Sequence, residues 1–154
     1  MAPEAVVAAA IAAHGQRPGG LLPLLHEIQD RLGHVPREAV AQIAKSMQLS
    51  IAEVHGVIGF YHHFRQHAPG RHVLRICLAE ACQSMGSRRL LEHARALTGC
   101  DLHGTSADGA VTLEPVYCLG NCACSPAVLL DNELVGRVDE QRMDALVQRC
   151  RRSP

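Results

Sequence analysis

Four of the chain's seven cysteines fall in two matching settings. Cys77 and Cys82 close the apolar, strand-like run Val73-Leu-Arg-Ile-Cys-Leu-Ala-Glu-Ala-Cys82, and Cys118 and Cys122 close Leu113-Glu-Pro-Val-Tyr-Cys-Leu-Gly-Asn-Cys122. The spacings are C-x4-C and C-x3-C. A [2Fe–2S] cluster needs four thiolates, two for each iron, in pre-set geometry. Two strands that end side by side, each running into a short loop with two thiols, would supply them. Structural zinc sites usually pair thiols at C-x2-C or nearby spacings, so C-x4-C is closer to iron–sulfur usage. Thiol–disulfide exchange needs C-x-x-C with an activated first thiol, and the sequence contains no such motif.

Three cysteines stand outside this set. Cys150 shares the apolar stripe of a C-terminal helix and reads as core. Cys100 follows Gly99 at a helix end and has no functional case. Cys124 remains open as an alternative fourth ligand, because Cys122-Ala-Cys124 puts two thiols within reach. Cys122 is preferred, since Gly120 and Asn121 offer the tight turn that returns a thiol to the metal. His62, His63 and His67 invite a metal reading, but no nearby carboxylate or cysteine completes a tetrahedral set. A surface role is preferred for them.

The elements that must position these thiols differ between the two halves. Residues 1–67 read as four short helices with tight connections, a small bundle. Ala5–Ala13 is an Ala-rich helix. Leu21, Leu22, Leu25, Ile28 and Leu32 recur at helical spacing, and Gly33 follows as a stop. Pro36 suits a first helical turn, with Val40, Ile43, Ala44 and Met47 behind it. Ser50-Ile-Ala-Glu53 is a capping box, opening a helix expected to carry Ile51, Val54, Val57, Ile58 and Tyr61 inward. Phe60, Tyr61 and Phe64 cluster where aromatics are otherwise scarce, as core or contact residues, with core preferred.

A turn-rich break at Gln66-His-Ala-Pro-Gly-Arg-His72 opens residues 68–154. There His72–Ile76 reads as a strand and Ser87–Leu97 as a helix with Leu90, Leu91, Ala94 and Leu97 on one face. Val111–Tyr117 is a second strand. Ala127–Leu130 and Leu134–Val138 form a hairpin about Asp131-Asn132-Glu133. Asp139 caps a final helix with Met143, Leu146, Val147 and Cys150 inward. This order fits a small α/β sandwich of thioredoxin type.

Composition excludes several classes. At 154 residues with 47% hydrophobic content, the chain can build a packed core. Lys+Arg and Asp+Glu both number 15, which leaves no basic footprint for nucleic acid or an anionic membrane. The apolar stretch at Ala5–Ala13 lacks a preceding base and is too short to span a bilayer. A cytoplasmic protein without membrane insertion is expected, where disulfides are rare. There is no G-x-G-x-x-G after a strand and no phosphate-binding lysine loop, so no nucleotide site is expected.

Leu21-Leu-Pro-Leu-Leu-His-Glu-Ile-Gln-Asp-Arg-Leu-Gly33, Glu53-Val-His-Gly-Val-Ile-Gly-Phe-Tyr61 and Cys118-Leu-Gly-Asn-Cys122 with Pro126 carry a resemblance over nearly the whole chain. They resemble the thioredoxin-like [2Fe–2S] ferredoxin family, the small flavoprotein-associated subunits of respiratory complex I and its relatives. The resemblance implies cluster ligands at Cys77, Cys82, Cys118 and Cys122 and an α/β fold in which an N-terminal helical bundle precedes a thioredoxin-like domain. It implies no catalytic residue in this chain, and FMN and NAD on a partner subunit. Arg75, Arg88 and Arg89 are candidates to offset cluster charge, although a solvated surface role is preferred for each. The fold analogy also makes Ser125–Pro126 a candidate cis peptide.

Within the family, Ile76-Cys-Leu-Ala-Glu-Ala-Cys-Gln-Ser-Met-Gly86 and Tyr117-Cys-Leu-Gly-Asn-Cys-Ala-Cys-Ser-Pro-Ala127 look most like the gamma subunits of soluble NAD-dependent formate dehydrogenases. That likeness implies an electron-transfer role beside a flavin/NAD-binding beta-type subunit. The larger complex would include a molybdenum- or tungsten-containing subunit that oxidises formate. The equivalent subunits of complex I and of NAD-linked hydrogenases are the alternatives.

Overall fold

The computed structural model describes residues 2–152. The chain divides into two compact units, Met1–Ala68 and Pro69–Pro154.

The first unit holds four helices: α1 (Pro3–His14), α2 (Leu21–Leu32), α3 (Ala39–Met47) and α4 (Ile51–Phe60). Each stop has a local cause. Gly33 ends α2 in the left-handed region at φ 79°, and Gln48 ends α3 at φ 56°. Ser50 accepts the Glu53 N–H at 3.1 Å while the Glu53 carboxylate accepts the Ser50 N–H at 2.7 Å, so the capping box forms as expected. Leu24, Leu25, Ile28, Val40, Ile43, Val54, Ile58 and Phe64 share one core. Buried Gln29 ties down the segment after α4: its amide donates to the His63 carbonyl at 2.6 Å and its oxygen accepts the Arg65 N–H at 2.7 Å.

Three expectations change here. Helix α3 begins at Ala39, and Pro36 lies in the turn before it, its carbonyl accepting the Ala39 N–H. Ile51 is 52% exposed, because it stands at the first position of α4, beyond the turns that face the core. Phe60 and Tyr61 are also exposed, leaving Phe64 as the core member of the aromatic group. The helix ends at Phe60 and Tyr61 is already extended, so helical periodicity no longer sets its direction.

The second unit is a four-stranded sheet in the order β2-β1-β3-β4. Its strands are β1 (His72–Cys77), β2 (Val111–Val116), β3 (Val128–Leu130) and β4 (Glu133–Val135). β1 and β2 run parallel, joined through α5 (Glu80–Ser84) and α6 (Ser87–Thr98), while β3 is antiparallel to both β1 and β4. The hairpin turn is Asp131-Asn132, with Asp131 at φ 52°, so β4 starts one residue earlier than composition indicates. Helix α7 (Glu140–Arg152) packs on α6 and β2, and Asp139 caps it by accepting the Arg142 N–H at 2.8 Å. Leu74, Ile76, Leu90, Leu91, Val111, Leu113, Val128, Met143 and Val147 fill this core, which Leu97 flanks. Among the described residues no helix is long and apolar enough to cross a membrane.

Candidate metal centre

The parallel register pairs Cys77 with Val116, so β1 and β2 end side by side. Cys77 is the last residue of β1 and is buried, its N–H bonded to the Ala127 carbonyl at 3.1 Å. The chain leaves β1 through Leu78, whose N–H donates to the Val116 carbonyl at 2.8 Å and whose carbonyl accepts the Gln83 amide at 2.6 Å. Those bonds fold α5 back over the strand end and bury Cys82 beside Cys77, with Ala127, Ala79, Val116 and Leu119 packed around them. The sequence carried no signal for α5, because five residues are too few to display a helical period.

After β2 the chain turns through Cys118, at φ 88°, and Gly120, at φ 72°. Holding a non-glycine residue in that region costs on the order of 1 kcal/mol. The turn directs the Gly120 N–H to the Cys118 sulfur at 3.4 Å and leaves the Cys118 and Cys122 sulfurs 3.8 Å apart. Cys122 then starts a 3₁₀ turn, Cys122–Cys124. Both of these thiols are exposed. The Ser125–Pro126 peptide that follows is cis.

The electrostatics join the two loops. Burial pushes the Cys77 thiol up, but the N–H of Ala79, the Cys82 thiol and the N–H groups of Cys118 and Leu119 together hold it below the ordinary value of 9.0. Cys122 is pushed up, first by its hydrogen bond with Cys118, then by the charge of Cys118, by burial, and by Cys82 and Cys77. All three other sulfurs therefore act on Cys122.

The remaining candidates lie elsewhere or are committed to other contacts. Cys150 is buried in the core of the second unit, and burial raises its pKa. The Cys100 thiol contacts the Thr98 hydroxyl at 3.3 Å and the Gly104 carbonyl at 3.5 Å. Cys124 is half-buried; its carbonyl accepts the Arg137 N–H at 2.6 Å, and its Cβ lies where a side chain at Gly136 would collide with it. The His63 ring packs against His26 and Phe64. Arg75 pairs with Glu114 at 3.1 Å across β1 and β2, Arg89 pairs with Glu140, and Arg88 is exposed.

Four thiols from two adjacent strand ends, with backbone N–H groups aimed at the sulfurs, fit a [2Fe–2S] group. Among the described residues, no three His, Cys, Asp or Glu side chains are grouped as ligands of a single metal ion. Sequence reasoning had no access to the contributing amides of Ala79, Cys118, Leu119 and Gly120. Every non-proline residue carries the same N–H, and only the fold aims it.

A family model described as thioredoxin-like [2Fe-2S] ferredoxin matches residues 7–151. The chain is 31% identical to an NADH-quinone oxidoreductase component of Rhizobium meliloti, over 94% of this chain and 86% of that protein. It is 28% identical to the HndA component of the NADP-reducing hydrogenase of Solidesulfovibrio fructosivorans, over 80% of this chain and 72% of that protein. Among solved structures, an NAD+-reducing [NiFe]-hydrogenase in its H2-reduced state superposes with a TM-score of 0.70 at 26% identity. That match covers 88% of this chain but 23% of the hydrogenase chain, so this protein spans about a quarter of it.

Proposed function

The chain belongs to the thioredoxin-like [2Fe–2S] ferredoxin family, and from this we propose that it is an electron-transfer subunit whose cluster is held by Cys77, Cys82, Cys118 and Cys122. The observation that carries the reading is the meeting of two thiol pairs at the adjacent ends of β1 and β2. When bound, the cluster supplies a one-electron acceptor and donor. The chain's own residues prepare its setting. The amides facing Cys77 and Cys118 stabilise thiolate charge. Ala79, Val116, Leu119 and Ala127 keep water from the Cys77–Cys82 side. Cys118 and Cys122 remain on the exposed side, where electrons can pass to another subunit.

A hydride carries two electrons, so single-electron relay requires a flavin partner that splits the pair. The proposed partner is therefore a subunit holding FMN and NAD. The wording of the two cysteine loops supports membership of a cytoplasmic NAD-dependent formate dehydrogenase, with a molybdenum- or tungsten-containing subunit further along the complex. The names of the relatives favour a second reading, the equivalent subunit of an NADH-quinone oxidoreductase or an NAD-linked hydrogenase.

Anaerobic purification of the native assembly tests this directly. The proposal expects a one-electron paramagnetic signal after reduction, co-purification with a flavoprotein, and formate-dependent reduction of NAD. Quinone- or hydrogen-linked activity in its place selects the second reading. NADH-dependent dye reduction by the pure chain alone would overturn the accessory-subunit role.

A further inference from the structure

Ser125 is buried at 8% exposure, just after the 3₁₀ turn, and its hydroxyl touches both cysteine loops. The Cys82 thiol donates to Ser125 Oγ at 3.5 Å, and that hydroxyl donates its own proton to the Cys122 carbonyl at 2.7 Å. The same carbonyl also accepts the backbone N–H of Ser125 at 3.3 Å.

This arrangement suits a protonated Cys82. A sulfur bound to iron has no proton to give, so the Cys82-to-Ser125 bond cannot persist in that direction. Two lone-pair atoms would then face each other in a buried site, which is unfavourable unless one becomes a donor. Ser125 can become that donor by rotating one bond. The Cys122 carbonyl is not orphaned by the rotation, because the Ser125 backbone N–H stays on it.

We propose that in the cluster-bound protein the Ser125 hydroxyl donates to the Cys82 sulfur, and that Ser125 is a positioning residue that raises the reduction potential. The inference rests on Cys82 being a ligand. A donor to a ligand sulfur stabilises negative charge, and the reduced cluster carries one more electron than the oxidised one. The hydroxyl therefore favours the reduced form, and hydrogen bonds to sulfur are among the determinants of these potentials.

The test uses the full chain reconstituted anaerobically with iron and sulfide, as wild type, S125A, S125T and S125V. Iron content and the visible spectrum report assembly, and an EPR-monitored redox titration reports the potential. S125A is expected to keep its iron while its reduction equilibrium constant falls roughly tenfold, or 59 mV for a one-electron couple. S125T, which keeps the hydroxyl, should match wild type, while S125V, of nearly the same shape, should follow S125A. An unchanged potential in a fully loaded S125A overturns this proposal alone. If S125A loses iron, the Thr/Val pair decides, and equal potentials in those two overturn it. Iron loss in all three variants would make Ser125 a packing residue and also overturn it. A wild-type chain that holds no [2Fe–2S] cluster would overturn the ligand assignment, and this inference with it.

Discussion

At the scale of single residues, the chain's cysteines have three kinds of environment. Cys77 packs with Cys82, and Cys118 lies beside Cys122, in two loops joined by the N–H groups of Cys118 and Leu119 that bond Cys77. Cys100 and Cys124 are held in local contacts, and Cys150 is packed in the core. Replacing Cys77, Cys82, Cys118 or Cys122 with Ala should abolish normal cluster assembly, because one iron is left with a missing thiolate. C100A, C124A and C150A should retain nearly full iron, measured colorimetrically against protein. Iron lost in C124A but kept in C122A would reverse the choice of fourth ligand. Cys150 offers a separate check. It is buried and its thiol is pushed up by burial, so little thiolate is present near neutral pH. An alkylating reagent should label it only after unfolding, as read by mass spectrometry. Rapid labelling of Cys150 in the folded chain would contradict the packing described.

At the scale of elements, α4 and β1 carry the clearest consequences. The Ser50 cap satisfies a free donor at the start of α4, and S50A should cost about 1 kcal/mol of stability. Glu53 completes the box, and its pKa is lowered by the bonds from the Ser50 backbone and hydroxyl. Its folded value lies below its unfolded value. The stabilisation is therefore fully present above the unfolded pKa and is lost as pH falls through the folded one. Glutamine at 53 can still accept the bond but carries no charge. The stability gap between wild type and E53Q should accordingly narrow on acidification, as followed by urea unfolding. A gap that stays constant down to strongly acidic pH would exclude this account. In β1, Leu74 is fully buried, with Leu113 opposite on one side and Leu130 on the other. L74A should cost about 2–5 kcal/mol through lost burial and the cavity left behind.

At the scale of the molecule, the two units have separate cores, and the core around Leu74 and Met143 draws only on residues of the second. The cysteine loops and the apolar residues around Cys77 and Cys82 lie in that unit as well. A fragment comprising residues 69–154 is therefore expected to unfold cooperatively and to accept iron and sulfide without the helical unit. Circular dichroism through a urea titration, with iron analysis of the reconstituted fragment, checks this. A fragment without a cooperative transition would show that the second unit depends on the first.

Much of this protein is readable from periodicity and local chemistry. The apolar spacing in α2 and α6, the Ser50–Glu53 box, the Asp139 cap and the apolar runs of β1 and β2 are near-neighbour effects, so the linear order of residues determines them. The pairing of thiols within each loop is equally local. Other features lie beyond that reach. Five residues at α5 and three at Cys122–Cys124 are shorter than the window in which a period can be recognised. The outward turn of Tyr61 follows from where α4 stops, which composition did not mark. Above all, Cys77 meets Cys118 only because β1 and β2 pair in parallel with Cys77 opposite Val116. That register depends on the burial of Leu74, Ile76, Val111 and Leu113 under α6 and α7. Burial also aims the amides of Ala79 and Leu119 at the Cys77 sulfur and sets the Ser125 oxygen where the Cys82 thiol donates to it. Such convergence is a property of packing between distant segments, and no local pattern encodes the direction in which a backbone N–H will point.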